Sequence, residues 1–467
     1  MKQLLNNKTI VVGAGGGGIA SALLAAHRGE IVTLIESHSA LGGCASWFRR
    51  GQYIFDAGAT TLSGVGVNEP LGQLFKSLGH FPQLMASDPG IVFHLSSGKV
   101  IRYHRDFEKW MEELSVHFPS LKHRPFWELT TKINKKSWSL LRDVKTFPFK
   151  SPKDILEIVK FPQHAFLLPY LLISTELALK HFGLDHPEYL ELVNGILLIS
   201  AQANSEHIPF LVGAMALSYP AETYAPVGGM KGLMDFFENE LVRTGVDIKK
   251  STKVESFKGN EVTLEDSEKL FADKLIINLP VWNMAEMTEG SLKDKLAKES
   301  QSHPGSWGAL TVYFGARSEV HDFYHQIHLN HPKIKNYFVS FSIPGDHSRA
   351  PQGHQAVSIS THVYAEDNVD KNELSQIIMK DFIKRFPVSE VKFLTTGSPR
   401  SFERYTGRKS GFVGGLPFLF GKNPLSLIGP LTATKGVFRV GDTVFPGQGL
   451  CGVVAGALQL HHRLVRE

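Results

Sequence analysis

The chain has 467 residues, 42% of them apolar and 20% charged, with a formal net charge of +5. That is enough chain for two or three domains around a large core, and so small an excess of charge, without a recognition motif, excludes a nucleic-acid-binding class. Two distant cysteines, Cys44 and Cys451, exclude a disulfide framework and a metal cluster; a reducing, cytoplasmic compartment and no metal are expected. The first element, Lys8 to Val12, is β-branched and apolar, as in a buried parallel strand. It runs into Gly13-Ala14-Gly15-Gly16-Gly17-Gly18, in which Gly13, Gly15 and Gly18 fit G-x-G-x-x-G. Ile19 to Arg28 reads as a helix ended near Gly29, and Glu30 to Glu36 as a second strand closing on a carboxylate. Strand, glycine turn, helix and acid in that order predict a dinucleotide site. Gly13, Ala14, Gly15 and Gly18 form its turn, the helix N-terminus faces the phosphates, and Glu36 faces a ribose hydroxyl. The seven residues before the strand are too short for a signal peptide. No stretch reaches the roughly 18–20 apolar residues of a membrane span. Ala165 to Leu179 comes nearest and is broken by Pro169 and Glu176.

Ser39 to Gly58 (SALGGCASWFRRGQYIFDAG) resembles the segment that follows the ribose acid in FAD-dependent amine oxidases and desaturases. The resemblance implies FAD, with Gly42 and Gly43 near its pyrophosphate. Cys44 stands where that superfamily often carries a basic residue. Leu71 to Gly79 then reads as a helix, and Ile91 to Tyr103 as a hairpin turning at Ser96-Ser97-Gly98. From Asp106 to about Pro220 the pattern is helical. Lys122 to Lys160 holds ten Lys or Arg against four Asp or Glu, interleaved with Phe126, Trp127, Trp138, Phe147 and Phe149. Two readings stand for it: a membrane-facing surface, or a solvated basic face beside an ordinary core.

Gly228-Gly229 precedes a helix at Gly232 to Arg243, with short strands at Val246 to Ile248 and Lys253 to Glu255. In the FAD superfamily the second of these strands returns to the nucleotide domain, which implies an adenine contact from the Val254 backbone. Lys274 to Pro280 resembles the next central strand. Ser306 to Gly315 and Ala356 to Val363 alternate like strands of a second sheet, and Glu373 to Phe386 reads as a helix on it. The tail is a strand ending in Gly441-Asp442, a Pro/Gly loop and a helix from Val453. There the resemblance implies that Asp442 and Gly441 meet the ribityl or phosphate end of FAD. Gly449, Leu450 and Val453 would aim the helix N-terminus at the flavin.

The blocks Val12 to Gly58, Ala225 to Phe257 and Ser398 to Leu464 together resemble the bacterial-type phytoene desaturase family. Phe55-Asp56-Ala57-Gly58-Ala59-Thr60, Ser398 to Arg408 (SPRSFERYTGR) and Gly441 to Gly449 (GDTVFPGQG) match most specifically. The motifs are nearest those of the C-3′,4′ carotenoid desaturases, with prolycopene isomerases close behind. The resemblance implies an α/β fold: a discontinuous Rossmann-type FAD domain (1–80, 222–300, 398–467) and an inserted substrate domain of mixed sheet and helices (81–221, 301–397). It implies an oxidoreductase that desaturates a long polyene by hydride transfer to flavin N5. Glu403, Arg404 and Arg408 are candidate catalytic residues in a loop the family places near the substrate channel. No second nucleotide fold or Cys-x-x-Cys follows, so electrons are expected to pass to a quinone or oxygen, on the inner face of a membrane. The alternatives are polyene isomerisation or saturation, amine oxidation, and a non-catalytic FAD-containing lipid-binding protein.

Overall fold

The computed structural model describes residues 7–145, 147–148, 154, 159–301, 307–364, 370–422 and 426–465. Residues 1–6, Phe149, Lys150, Lys153, Glu157 and Ser306, on which some of the expectations above rest, lie outside these. Five parallel strands form one sheet in the order Val437–Arg439, Lys274–Ile277, Lys8–Val12, Ile31–Ile35, Asp247–Lys249. Its central strands are apolar on both faces because both are covered, one by helices and the other by the meander residues Val254, Phe257, Val262 and Leu264 together with Trp282 and Leu296. On one face the helix Gly16–His27 presents Ala20, Ala22 and Ala25, all fully buried. Those small side chains let the C-terminal helix Gly449–Leu464 lie against it. One sheet therefore draws on three separated parts of the chain. Val254 does not extend it: Val254–Lys258 opens an antiparallel meander with Glu261–Leu264 and Lys269–Phe271.

The second sheet has seven strands, in the order Ser389–Gly397, Trp307–Arg317, His354–Tyr364, Asn336–Phe341, Tyr324–His328, Ile91–His94, Val100–Tyr103. The early hairpin joins it through one parallel pairing, Ile91–His94 with Tyr324–His328; the other pairings are antiparallel. Helix Lys371–Arg385 covers one face with Ile378 and Phe382. A cap of helices, among them Phe107–His117, Arg124–Asp143, Pro187–Ala201 and Phe210–Ser218, packs around Trp110, Trp127, Phe126 and Tyr189. Phe126 and Trp127 are core residues, and Trp138 and Phe147 line an internal cavity, so these four rings form no belt at a membrane interface.

Within the second sheet, the half-buried His94 of the hairpin meets the buried His325. His325 Nε2 donates to the Asp322 carbonyl at 2.9 Å, so its Nδ1 accepts from His94 Nε2 at 3.2 Å. Burial is the first cause that depresses both; Arg385 and Arg102 add to it for His94, and His94 for His325. His94 falls to about 4 and His325 to about 3. The unfolded chain takes up these protons near pH 6.5 and the native one only well below it. Their contribution is thus complete above about pH 6.5 and is lost as pH falls toward 4. Urea unfolding from pH 7.5 to 4.5 should show wild-type stability declining with acid, and a shallower decline in H94Q/H325F. Parallel curves would refute this role.

Candidate active site

The first strand hands the chain to a turn that only a small residue can make. Gly13 has φ +91°, and a Cβ there would stand 2.8 Å from the Asn278 carbonyl oxygen. Gly42, at φ +114°, brings the following loop alongside, with its N–H donating to the Ala14 carbonyl at 2.8 Å. The helix Gly16–His27 then starts without a side-chain cap or an acid in its first turn. The same holds for Gly449–Leu464, which follows Gln448. Both N-termini open on one cavity of about 1660 Å³, and their unpaired N–H groups and dipoles favour an anion there. Ser46 and Gln448 line it too, and their Oγ and Nε2 are buried without a partner among the described residues. Uncapped helix ends, a close-packed glycine turn and orphaned polar atoms fit a dinucleotide such as FAD.

The expected cofactor residues divide by position. Gly13, Gly15, Glu36, Gly42, Gly43, Cys44, Gly441, Asp442, Gly449, Leu450 and Val453 line the cavity. Ala14 lies beneath the turn, its N–H donating to Glu36 Oε2 at 2.8 Å. Gly18 is also beneath it, packed under the Gly13 carbonyl. Glu36 Oε1 accepts from the His38 N–H (2.8 Å) and the Ser37 hydroxyl (3.2 Å), so three donors fix the carboxylate before any ribose arrives. Val254 does not line the cavity; it packs with Ile10, Val12 and Ile35.

The candidate catalytic residues also part company. Glu403 is exposed and accepts from the Ser410 N–H at 3.0 Å, away from the cavity. Arg404 reaches the rim, its guanidinium 5.6 Å from the centre of the Tyr405 ring. Arg408 is buried beside Asp442, with Nη2 2.9 Å from Oδ2, and its Nε donates to the Phe412 carbonyl. Burial works against this guanidinium, but Asp442 and Cys44 beside it hold its pKa above the ordinary value. The contact is an ion pair without hydrogen-bond alignment. Arg408 therefore supplies positive charge close to Cys44, where the superfamily's usual basic residue is absent. Burial above all raises both thiols, Cys44 and, more strongly, Cys451, so neither is a thiolate poised for redox work.

Beyond the glycine turn the same cavity is walled by apolar side chains from the cap and the second sheet, including Ile199, Leu211, Met215, Phe338 and Leu310. Sequence reasoning missed Asn278, Ser46, Gln448 and Glu222. Asn278 had a signal, a polar residue ending an apolar strand, and its Nδ2 donates to the Gly13 carbonyl at 3.1 Å. Glu222 had none, being a single acid in a turn.

The family described as flavin containing amine oxidoreductase matches residues 17–407. The prolycopene isomerase of Daucus carota is 26% identical over 98% of this chain and 80% of its own. The phytoene desaturase of Cercospora nicotianae is 22% identical over 77% of this chain and 62% of its own. An oxidoreductase from Methanosarcina mazei has the same fold, with a TM-score of 0.68 at 18% identity over 97% of this chain and 100% of its own.

Proposed function

The chain belongs to the flavin containing amine oxidoreductase family and is an FAD-dependent oxidoreductase, and from that premise we propose that it rearranges the double bonds of a long apolar polyene of the carotenoid kind by cis–trans isomerisation. The observation that carries this is a single cavity, about 1660 Å³, in which the glycine cradle continues into an apolar chamber. A chamber with that lining suits an extended hydrocarbon. When bound, the flavin supplies a two-electron redox centre. The uncapped helix ends hold the phosphates, Arg408 and Asp442 fix the charge beside them, and the apolar walls exclude water from the reacting carbons. Isomerisation comes first because the carrot relative named as an isomerase aligns with nearly the whole chain. Desaturation, the reaction expected from the motifs, is the second reading; the fungal desaturase favours it. It would need a quinone or oxygen as acceptor, whereas isomerisation leaves the substrate's oxidation state unchanged.

Among the described residues no helix is long and apolar enough to cross a membrane. Leu168 and Leu172 are 49% and 77% exposed on the cap. They support a peripheral position on the inner face of a membrane, where such a polyene dissolves. The test is expression in a bacterial host that accumulates carotenoid precursors, with pigments followed by chromatography, absorption and mass. A new retention time at unchanged mass is the expected result. Loss of two hydrogens would establish desaturation instead, and unchanged pigments would remove both readings.

A further inference from the structure

The helix Arg124–Asp143 is oddly polar where it should be apolar. Thr130, Asn134 and Ser137 are 0%, 4% and 2% exposed, and their spacing puts them on one face. Thr130 Oγ1, Asn134 Oδ1 and Ser137 Oγ have no hydrogen-bond partner among the described residues. Ser137 and its neighbour Trp138 line the cavity. Burying such groups unpaired costs about 1–3 kcal/mol each. The partner that Asn134 does have is Glu222: Nδ2 donates to Oε1 at 3.0 Å.

Glu222 sits on the turn Tyr219–Glu222 and lines the cavity with Tyr219, Thr61 and Cys451. The carboxyl of Glu69 stands near it. Glu69 caps no helix with its side chain; its Oε2 accepts from the Gly66 N–H at 2.8 Å. The other titratable or charged groups around Glu222 are Arg105, Tyr103, Tyr219 and Cys451. Burial first, and Glu69 next, push Glu222 up to about 8, against the opposing effects of Asn134 and Arg105. Burial thus favours the protonated form of this carboxyl on the cavity wall.

We propose that Glu222, which lines the cavity beside Glu69 and is oriented by Asn134, is the proton donor and acceptor for the polyene. This rests on the isomerisation reading above. The O–H bond of Glu222 breaks as a C–H bond forms at one carbon of a conjugated double bond, whose π pair makes the new bond. The positive charge spreads over the remaining conjugation, and the former double bond turns as a single bond. The C–H bond then breaks, its electron pair restores the π bond, and the proton returns to the Glu222 carboxylate. Nothing is oxidised or reduced overall.

The experiment compares wild type, E222Q and E69Q as flavin-loaded proteins, given a cis carotenoid in detergent micelles. General acid–base groups contribute about 10²–10⁴-fold, so E222Q should isomerise at least about 100-fold more slowly. Its flavin content and the absorption shift of bound polyene should match wild type. The wild-type rate should fall as pH rises through the Glu222 titration and slow in D₂O. In E69Q the Glu222 pKa drops, so that fall should begin at lower pH. An infrared band of a protonated carboxyl should be present in wild type at pH 7 and missing in E222Q. Equal rates in E222Q and wild type would overturn the role of Glu222 and leave the polyene reading intact. Wild type that binds polyene and never isomerises it would overturn both.

Discussion

Replacing Arg408 by alanine is expected to strip the purified protein of most of its flavin. Asp442 lines the cavity, with its carboxylate 2.9 Å from the Arg408 guanidinium. Both side chains are largely shielded, at 11% and 17% exposure. Truncating one member of such a pair leaves the other charge buried and unpaired, at a cost of about 2–5 kcal/mol. Here the orphan would be an anion in the cavity that holds the dinucleotide phosphates, so it repels the ligand as well. Flavin affinity should fall at least about 100-fold, close to 3 kcal/mol at 1.4 kcal/mol per decade. R408L/D442N, which removes both charges, should regain much of the loss, and R408K less, since a lysine does not reproduce the planar fork. Bound flavin after dialysis, measured by absorption with the apoprotein's circular dichroism as a folding control, decides it. Full flavin retention in a folded R408A protein would sink the assignment of Arg408 to the cofactor site.

The second large effect is expected far from the reacting centre. Asp56, 2% exposed, pairs with Arg349 at 3.0 Å, and its Oδ1 accepts from the Met230 N–H at 2.7 Å. Arg349 also donates through Nε and Nη2 to the Ile54 carbonyl, each at 3.2 Å. One carboxylate thus ties the Tyr53–Asp56 strand to the start of helix Gly229–Arg243 and to the loop before the strand at His354. R349M leaves Asp56 charged and buried, and should cost about 3–5 kcal/mol. D56N/R349M should cost less, because no bare charge remains. K333A, which breaks the exposed pair Lys333–Glu373, should cost no more than about 1 kcal/mol. Urea midpoints of the four proteins test this ordering. A wild-type midpoint in R349M would mean the joint is not structural.

What the sequence alone determined was local and backbone-driven. The strand at Lys8, the glycine turn and the helix after it were legible because each imposes a residue type at each position: β-branched residues for a buried strand, no side chain where φ is positive, alanines where helices touch. The same held for the tail around Gly441 and the hairpin at Ile91–Tyr103. What tertiary structure decided was where side chains from distant segments meet. Val254 was assigned a backbone contact with the adenine by its place in the chain, and only strand pairing set it in the meander with its side chain in the core. Glu403 and Arg408 stand five positions apart in one motif, but the helix Pro399–Thr406 and its left-handed end at Gly407 send one outward and the other into the cavity. Asp56 read as part of a cofactor motif, and only the arrival of Arg349 made it a joint. Glu222, Glu69 and Asn134 carry no shared spacing at all. Their meeting depends on the cap helix docking against the nucleotide domain, a long-range event set by burial and shape, which no local pattern encodes.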